Sequence, residues 1–554
     1  MQVTSPPNPR ATSAHICQRE IYNGIGRKYP SGGIPDELSS KISSKDPTSS
    51  SWLFWSKSGS HSIDRISELP EEILQRILYF LSQKESVRTS VLSKSWHNNF
   101  KGKKQEFISL INNSLQRYRD QKLCVEEFGL YISLDDSDRK SILLLEKWIR
   151  TLKSMGIVKF CLSICSKQSS GLIHLPSVVF EVAEPLQDLH VEKFTSDQKS
   201  YQRTVLSKHP KEVRLQKVYI EDDNFRMIIA SCPSVETLFV RACEGLRNIE
   251  ANNLVHLNKF IFSPYKVPLA EEELCSIEIN PPSLKSIDVT YGNLRFERGV
   301  DFCNLSELHI TGVELSWDNL SSCKLPSLER LIIVGRLRSK EINLFVDAPK
   351  ITYFAYSGDF ILSISFATTT SKEWISVIGL TMHPNGVPSS WLHKLKELLD
   401  SLSQSKVSLR ISISREYQMN DDIIQENINL IQENCCDKYF VVERLSLSCH
   451  LCSYSSLLNG VFSICRPRKI CLSGLMNSET MAIECVWNFL MQRESGEQGD
   501  QCRKFWERDL EEVSMEIIGK NREGWHSITL SELLNHQEIG SSIRFTLKWS
   551  NGAI

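Results

Sequence analysis

The sequence predicts a mixed α/β chain, in which a small N-terminal helical module precedes a curved solenoid of short strand-bearing repeats. Three observations carry that expectation. Apolar residues between Asp64 and Phe100 recur at helical spacing, short Val/Ile/Leu/Phe runs recur at nearly constant intervals from about residue 157, and 554 residues exceed what one compact core normally supports. The chain divides on this reading into an extension (1–60), the helical module (61–105), a helical linker or cap (106–156), repeats (157–370) and a divergent C-terminal region (371–554).

Residues 1–60 are rich in Ser, Pro and Gly and too poor in apolar residues to repay ordering, so a disordered extension is expected. Arg10, Arg19, Arg27 and Lys28 would suit an organelle-targeting segment, but the prolines interrupt any amphipathic helix. Gly24 and Gly26 lack the preceding strand and following helix of a phosphate-cradling loop.

Leu69, Ile73, Leu74, Ile77, Leu78 and Leu81 place an apolar stripe on one helical face. Pro70 fits the first turn, where its missing amide hydrogen has no partner to lose, and Glu71 and Glu72 sit at the positive end of the helix dipole. Two further short helices fit 84–92, with Val87 and Val91 inward, and the segment from Ser93 that carries Trp96 and Phe100. Three short helices bury only a small core, so the module should lean on a partner. The Leu69-Pro70 start, the Ile73-Leu74 and Ile77-Leu78 pairs, the run Val87-Arg88-Thr89-Ser90-Val91-Leu92-Ser93-Lys94 and Trp96 resemble an F-box of the plant type. Ser95 stands where that family usually has Arg, and Asn99-Phe100 where it has Leu-Trp; these departures weaken the basic edge and leave the apolar face intact.

The lysines at 101, 103 and 104 read as a solvated helix end. Helices are expected over 107–118 and 142–152, the second with Leu145, Trp148, Ile149 and Leu152 on one face. Beyond them the period changes. Leu238, Phe260, Ile287, Leu308, Leu331 and Phe354 occupy equivalent places in successive apolar runs, at steps of 22, 27, 21, 23 and 23 residues. That is the leucine-rich repeat period, in which each unit adds one strand to a parallel sheet and buries its apolar positions only against its neighbours. Fainter members lie at 157–162, 186–191 and 212–215. The stretch 209–250 resembles the repeats that follow plant F-boxes.

After 370 the order loosens. Helices are expected over 391–402 and 421–433, and strands over 407–413, 441–447 and 510–517. Ile543, Phe545, Leu547 and Trp549 alternate with polar residues as in a half-buried closing strand. This region resembles the C-terminal, FBD-like part of plant F-box/leucine-rich repeat proteins and could cap the repeats, with 494–500 as an exposed loop.

Composition excludes several classes. Lys plus Arg number 65 against 66 Asp plus Glu, so nothing global points to nucleic acid or a membrane surface. No apolar run approaches a membrane-spanning length. Seventeen cysteines without an N-terminal apolar signal suggest reduced thiols in the nucleus or cytoplasm, where Asn-x-Ser/Thr matches at Asn112, Asn304 and Asn319 carry no meaning. Cys449 and Cys452 have zinc-ligand spacing, but Cys465 and Cys471 do not supply a second such pair, so buried core thiols and no metal are expected. Metalloprotease, nucleophile-elbow, P-loop and RING signatures are absent, so no catalytic residue and no cofactor are expected.

The resemblance implies a non-catalytic subunit of a Skp1–cullin–F-box ubiquitin ligase, holding a target protein near the charged conjugating enzyme. Carried over, the surface for a Skp1-like adaptor comprises Leu69, Pro70, Ile73, Leu74, Ile77, Leu78, Val87, Val91, Leu92 and Trp96, some of which also serve the module's own core. The target surface should use strand positions alternating with the buried ones: Glu236, Thr237, Ser286, Asp288, His309, Arg330 and Ile332. Two other readings are a repeat scaffold that never recruits a cullin, and a small-molecule receptor, which would need a basic cluster on the inner face.

Overall fold

The computed structural model describes residues 12–17, 112–113, 115–116, 119–120, 125–134, 139–155, 159–166, 173–174, 186–192, 194–195 and, with gaps of which 414–438 and 492–504 are the longest, 210–550. The helical module at 61–105 lies outside the described residues, as do 421–433, Cys449, Cys452 and 494–500. The architecture is mixed α/β and mostly strands. The chain forms two compact units, Met1–Lys167 and Gln168–Ile554.

In the first unit the strands Thr12–Cys17, Val125–Leu134 and Lys159–Ser166 pair in parallel in that order. Within 1–60, read as disordered, Thr12–Cys17 is the described part; its hexapeptide holds neither Pro nor Gly, so it can pair with a free sheet edge. The helix Arg139–Ser154 buries Leu145, Trp148, Ile149 and Leu152, the four residues its sequence period selects. Trp148 donates its indole hydrogen to Asn112 Oδ1 at 2.8 Å, which gives the buried ring's polar tip a partner.

In the second unit a parallel sheet grows one strand per repeat. Leu238, Phe260, Ile287, Leu308, Leu331 and Phe354 are direct register partners across six consecutive strands. The row begins earlier, at Leu189 and Val213. A second row two residues along, Val240, Phe262, Val289, Ile310, Ile333 and Tyr356, continues through Ile378, Leu409 and Leu445 to Ile470. Side chains alternate between faces along a strand, so a fixed repeat length stacks one apolar residue on the next. All the members from Val213 onward are nearly inaccessible to solvent.

The first row is interrupted once. Ser376 follows Phe354 in register and is fully buried. Its hydroxyl donates to Ser405 Oγ at 2.8 Å, which donates in turn to the Leu402 carbonyl at 2.8 Å, so the buried polar group is satisfied. Beside it Phe354, Phe366 and Trp374 pack edge to face, with centroids 5.3 and 5.0 Å apart.

Behind the long sheet lies a short parallel one, Asn248–Glu250, Cys275–Glu278, Gly292–Arg295 and Glu314–Leu315, whose Ile249, Ile277 and Leu294 are buried. The return segments also supply the helix Asp222–Ser231, with Phe225, Ile228 and Ile229 inward. The ends of five of these strands are built alike: Lys217, Ala242, Tyr291, Gly312 and Gly335 all have positive φ. At Lys217, Tyr291, Gly312 and Gly335 the amide donates to a carbonyl at or near the end of the following strand, at 2.6–2.8 Å.

After Lys469–Leu472 the pairing turns antiparallel, first with Ser542–Trp549, then with Leu510–Ile518 and Trp525–Ser527. Ile543, Phe545, Leu547 and Trp549 face inward, as their alternation predicts. The antiparallel part is joined to the repeats by Arg466, which is fully buried. Its guanidinium meets Asp509 Oδ2 at 2.5 Å, donates to the Phe462 carbonyl and stacks 3.5 Å from the Tyr439 ring. Trp549 donates to the Pro467 carbonyl at 2.7 Å, and Trp506 to Asn459 Oδ1 at 3.0 Å.

Candidate functional site

The alternation that buries Leu308 and Ile310 leaves Glu307, His309 and Thr311 on the open face of the long sheet. Register then lines such residues into columns, with neighbours about 4.8 Å apart. One column runs Thr237, Lys259, Ser286, Glu307, Arg330, Tyr353. The next runs Phe239, Ile261, Asp288, His309, Ile332, Ala355, Val377. Six of the seven residues expected for target binding therefore share one face and two adjacent columns: Thr237, Ser286 and Arg330 in the first, Asp288, His309 and Ile332 in the second. All are half-buried. Glu236 stands apart, because it precedes its strand. Its carbonyl accepts the amides of Asn258 and Lys259, and its carboxylate pairs with Lys211 at 2.9 Å.

Charges in the middle of this face are tied across strands. Asp288 Oδ1 lies 3.3 Å from His309 Nδ1, and His309 Nε2 shares a hydrogen bond with Thr311 Oγ1 at 3.2 Å. Ser286 donates to Glu307 Oε2 at 3.3 Å, Glu307 faces Arg330 at 3.9 Å, and the Arg330 guanidinium sits 4.7 Å from the Tyr353 ring. Burial raises the Tyr353 phenol above its ordinary range against the opposing charge of Arg330. The sequence reading missed Phe239, Ile261, Thr311 and Tyr353; the signal for them was the same alternation, followed along every strand instead of sampled.

Asp288, His309 and Thr311 follow the order carboxylate, imidazole, hydroxyl, which in hydrolases activates a nucleophile. Their surroundings do not supply the rest of such a site. They stand on a strand surface whose neighbours pair in parallel on both sides, so the ladder occupies the backbone amides that an oxyanion would need. A groove of about 500 Å³ lies instead on the short-sheet side, lined by Glu278, Asn293, Arg295 and Asn319 among others.

Four of the described thiols are inert by placement. Burial pushes Cys232, Cys275 and Cys465 up to about 12 and Cys243 to about 11, so none is a thiolate near neutral pH. No three His, Cys, Asp or Glu side chains among the described residues are grouped to hold a metal ion. No described helix is long and apolar enough to cross a membrane.

The ten residues expected to contact an adaptor, Leu69 to Trp96, lie outside the described residues, but comparison with known proteins reaches them. The F-box domain family matches residues 66–105, and the family described as FBD-associated F-box protein At5g56370, LRR repeats, matches residues 145–267. The chain is similar to F-box proteins of Arabidopsis thaliana. One F-box/LRR-repeat protein is 28% identical over 203 residues, covering 35% of this chain and 41% of the relative. A second is 23% identical over 318 residues, 51% of this chain and 53% of the relative. An F-box/FBD/LRR-repeat protein is 27% identical over 237 residues, 41% and 55% respectively. The chain thus spans about half the length of the curated relatives it matches. The F-box match is thus followed by the LRR match, and the second runs into the parallel sheet of the repeats.

Proposed function

We propose that this chain is the substrate-recognition subunit of a Skp1–cullin–F-box ubiquitin ligase, acting in the nucleus or the cytoplasm. The observation that carries the reading is the F-box match, which contains all ten residues assigned to the adaptor surface. The 61–105 module folds on this reading as three short helices whose Leu69, Pro70, Ile73, Leu74, Ile77, Leu78, Val87, Val91, Leu92 and Trp96 divide between a small core and a Skp1-like adaptor. Burial of about six of these side chains contributes on the order of 1.5–3 kcal/mol each before association costs, enough for a stable complex.

The repeats, from 157 to 370 with divergent units and an FBD-like cap beyond, carry the second surface. A target protein docks on the open face around Thr237, Ser286, Asp288, His309, Arg330 and Ile332, with Glu236 at its margin. The face is cross-braced by Asp288–His309 and Glu307–Arg330 and presents rows of half-buried side chains, which suits a protein more than a small molecule. The chain itself performs no chemistry; it raises the local concentration of target lysines near the conjugating enzyme.

The test is capture of a purified Skp1-type adaptor and cullin by the full chain, with the Leu69→Ala/Pro70→Ala double variant beside it. The wild type should assemble the complex and the variant should lose it. Adaptor capture without cullin would support a scaffold outside the ligase, and no adaptor capture by the wild type would sink the reading.

A further inference from the structure

We infer that the open face at the strands Thr237–Cys243 and Lys259–Pro264 is the docking point for an acidic, apolar-anchored segment of the partner protein. The inference rests on the target-receptor reading and names the class of target. Whereas the carboxylates at mid-sheet are all taken, by His309 and Arg330, the cations here are in excess. Arg241 and Lys259 are exposed on neighbouring strands and have no carboxylate partner among the described residues. Lys211 and Arg214 stand beside them, paired with Glu236 and Glu212.

Between these charges lie two half-buried apolar side chains in direct register, Phe239 and Ile261. The Arg214 guanidinium lies 5.4 Å from the Phe239 ring. Thr237 pairs with Lys259 and Arg241 with Ser263, so the two free cations flank the apolar pair on opposite sides, one toward each end of the strands. Asp288 bounds the patch on one side and Glu212 on the other, and both are already engaged. A free phosphate or a nucleic-acid backbone would use the cations and gain nothing from Phe239 and Ile261. A peptide with two carboxylates astride one bulky apolar residue uses all four groups: the apolar side chain covers Phe239 and Ile261, and the carboxylates reach Arg241 and Lys259.

The experiment is selection of displayed random 12-residue peptides on the full chain, followed by titration of the best peptide, synthesised with a fluorescent label. Enriched sequences should place Asp or Glu on both sides of Phe, Leu, Trp or Tyr. Binding should weaken with salt and fall by roughly ten-fold or more with Arg241→Glu/Lys259→Glu. Both side chains are exposed, so the variant's melting temperature should stay that of the wild type. Absence of acidic enrichment overturns the inference, as does equal binding by the charge-reversed variant. Displacement of the peptide by inorganic pyrophosphate or a short oligonucleotide at comparable concentration overturns the choice of a peptide. Adaptor capture, measured on the same preparation, separates the two ideas: retained capture with failed peptide selection sinks only the acidic docking point, and lost capture sinks the receptor reading.

Discussion

At the scale of single residues, the turn that leaves each strand decides which side chains are tolerated. Gly312 has φ +59°, and a Cβ there would stand 2.4 Å from the Tyr291 ring. Gly335, φ +131°, would bring a Cβ to 2.7 Å from the Gly312 nitrogen. Gly299 shares the left-handed conformation at φ +76°, yet a Cβ there meets nothing within 4 Å. The pair Gly299→Ala and Gly312→Ala therefore separates conformational strain from steric conflict. Gly299→Ala should cost about 1 kcal/mol, the strain alone, and Gly312→Ala clearly more. Denaturant midpoints of the two variants measure the difference, and equal losses would show that Tyr291 swings aside freely. The sequence could signal this turn only through Gly312 and Gly335. Lys217, Ala242 and Tyr291 adopt positive φ as well, and at Lys217 and Tyr291 a carbonyl of the following strand holds the conformation, which no local preference announces.

At the scale of elements, what was legible depended on how far apart the partners lie in the chain. The row through Leu238 and Leu331 could be read because alternation within a strand and a near-constant step between strands are both local patterns. Asp288, His309 and Arg330 could be assigned to the open face for the same reason. Their pairings could not, since contact between Asp288 and His309 requires the 21-residue step between them to hold without a slip. Arg466 gave no signal at all. Its partner Asp509 is 43 residues away, and the strand that covers both arrives later still, in an antiparallel sheet that the repeat pattern does not foretell. This pin between the repeats and the C-terminal sheet makes a sharp prediction. Asp509→Asn leaves a fully buried guanidinium without its counter-charge and should destabilise the protein by about 3–5 kcal/mol. Arg466→Met with Asp509→Asn should recover a large part of that loss, because no buried charge remains. Thermal denaturation of the two single variants and the double variant decides it, and additive losses would mean that the pair is not coupled.

At the scale of the whole molecule, the stability of the second unit follows from the way its core is distributed. Each of Leu308, Leu331 and Phe354 is packed by its register neighbours, so the repeats share a continuous core without all sharing the same contacts. Leu331→Ala removes most of a fully buried side chain and should cost about 2–5 kcal/mol. In a quasi-one-dimensional array that cost falls first on the nearest interfaces. Amide exchange in the strands Glu307–Thr311, Arg330–Val334 and Tyr353–Gly358 should accelerate strongly. Exchange in Leu510–Ile518 and Ser542–Trp549, whose packing runs through Arg466 and Trp549, should remain near that of the wild type. Uniform acceleration across both regions would show that the unit opens as one cooperative body. The local outcome has a functional consequence: a target docked around His309 and Arg330 would brace the strands that Leu331→Ala loosens, so target binding should restore their protection while leaving the C-terminal strands unchanged.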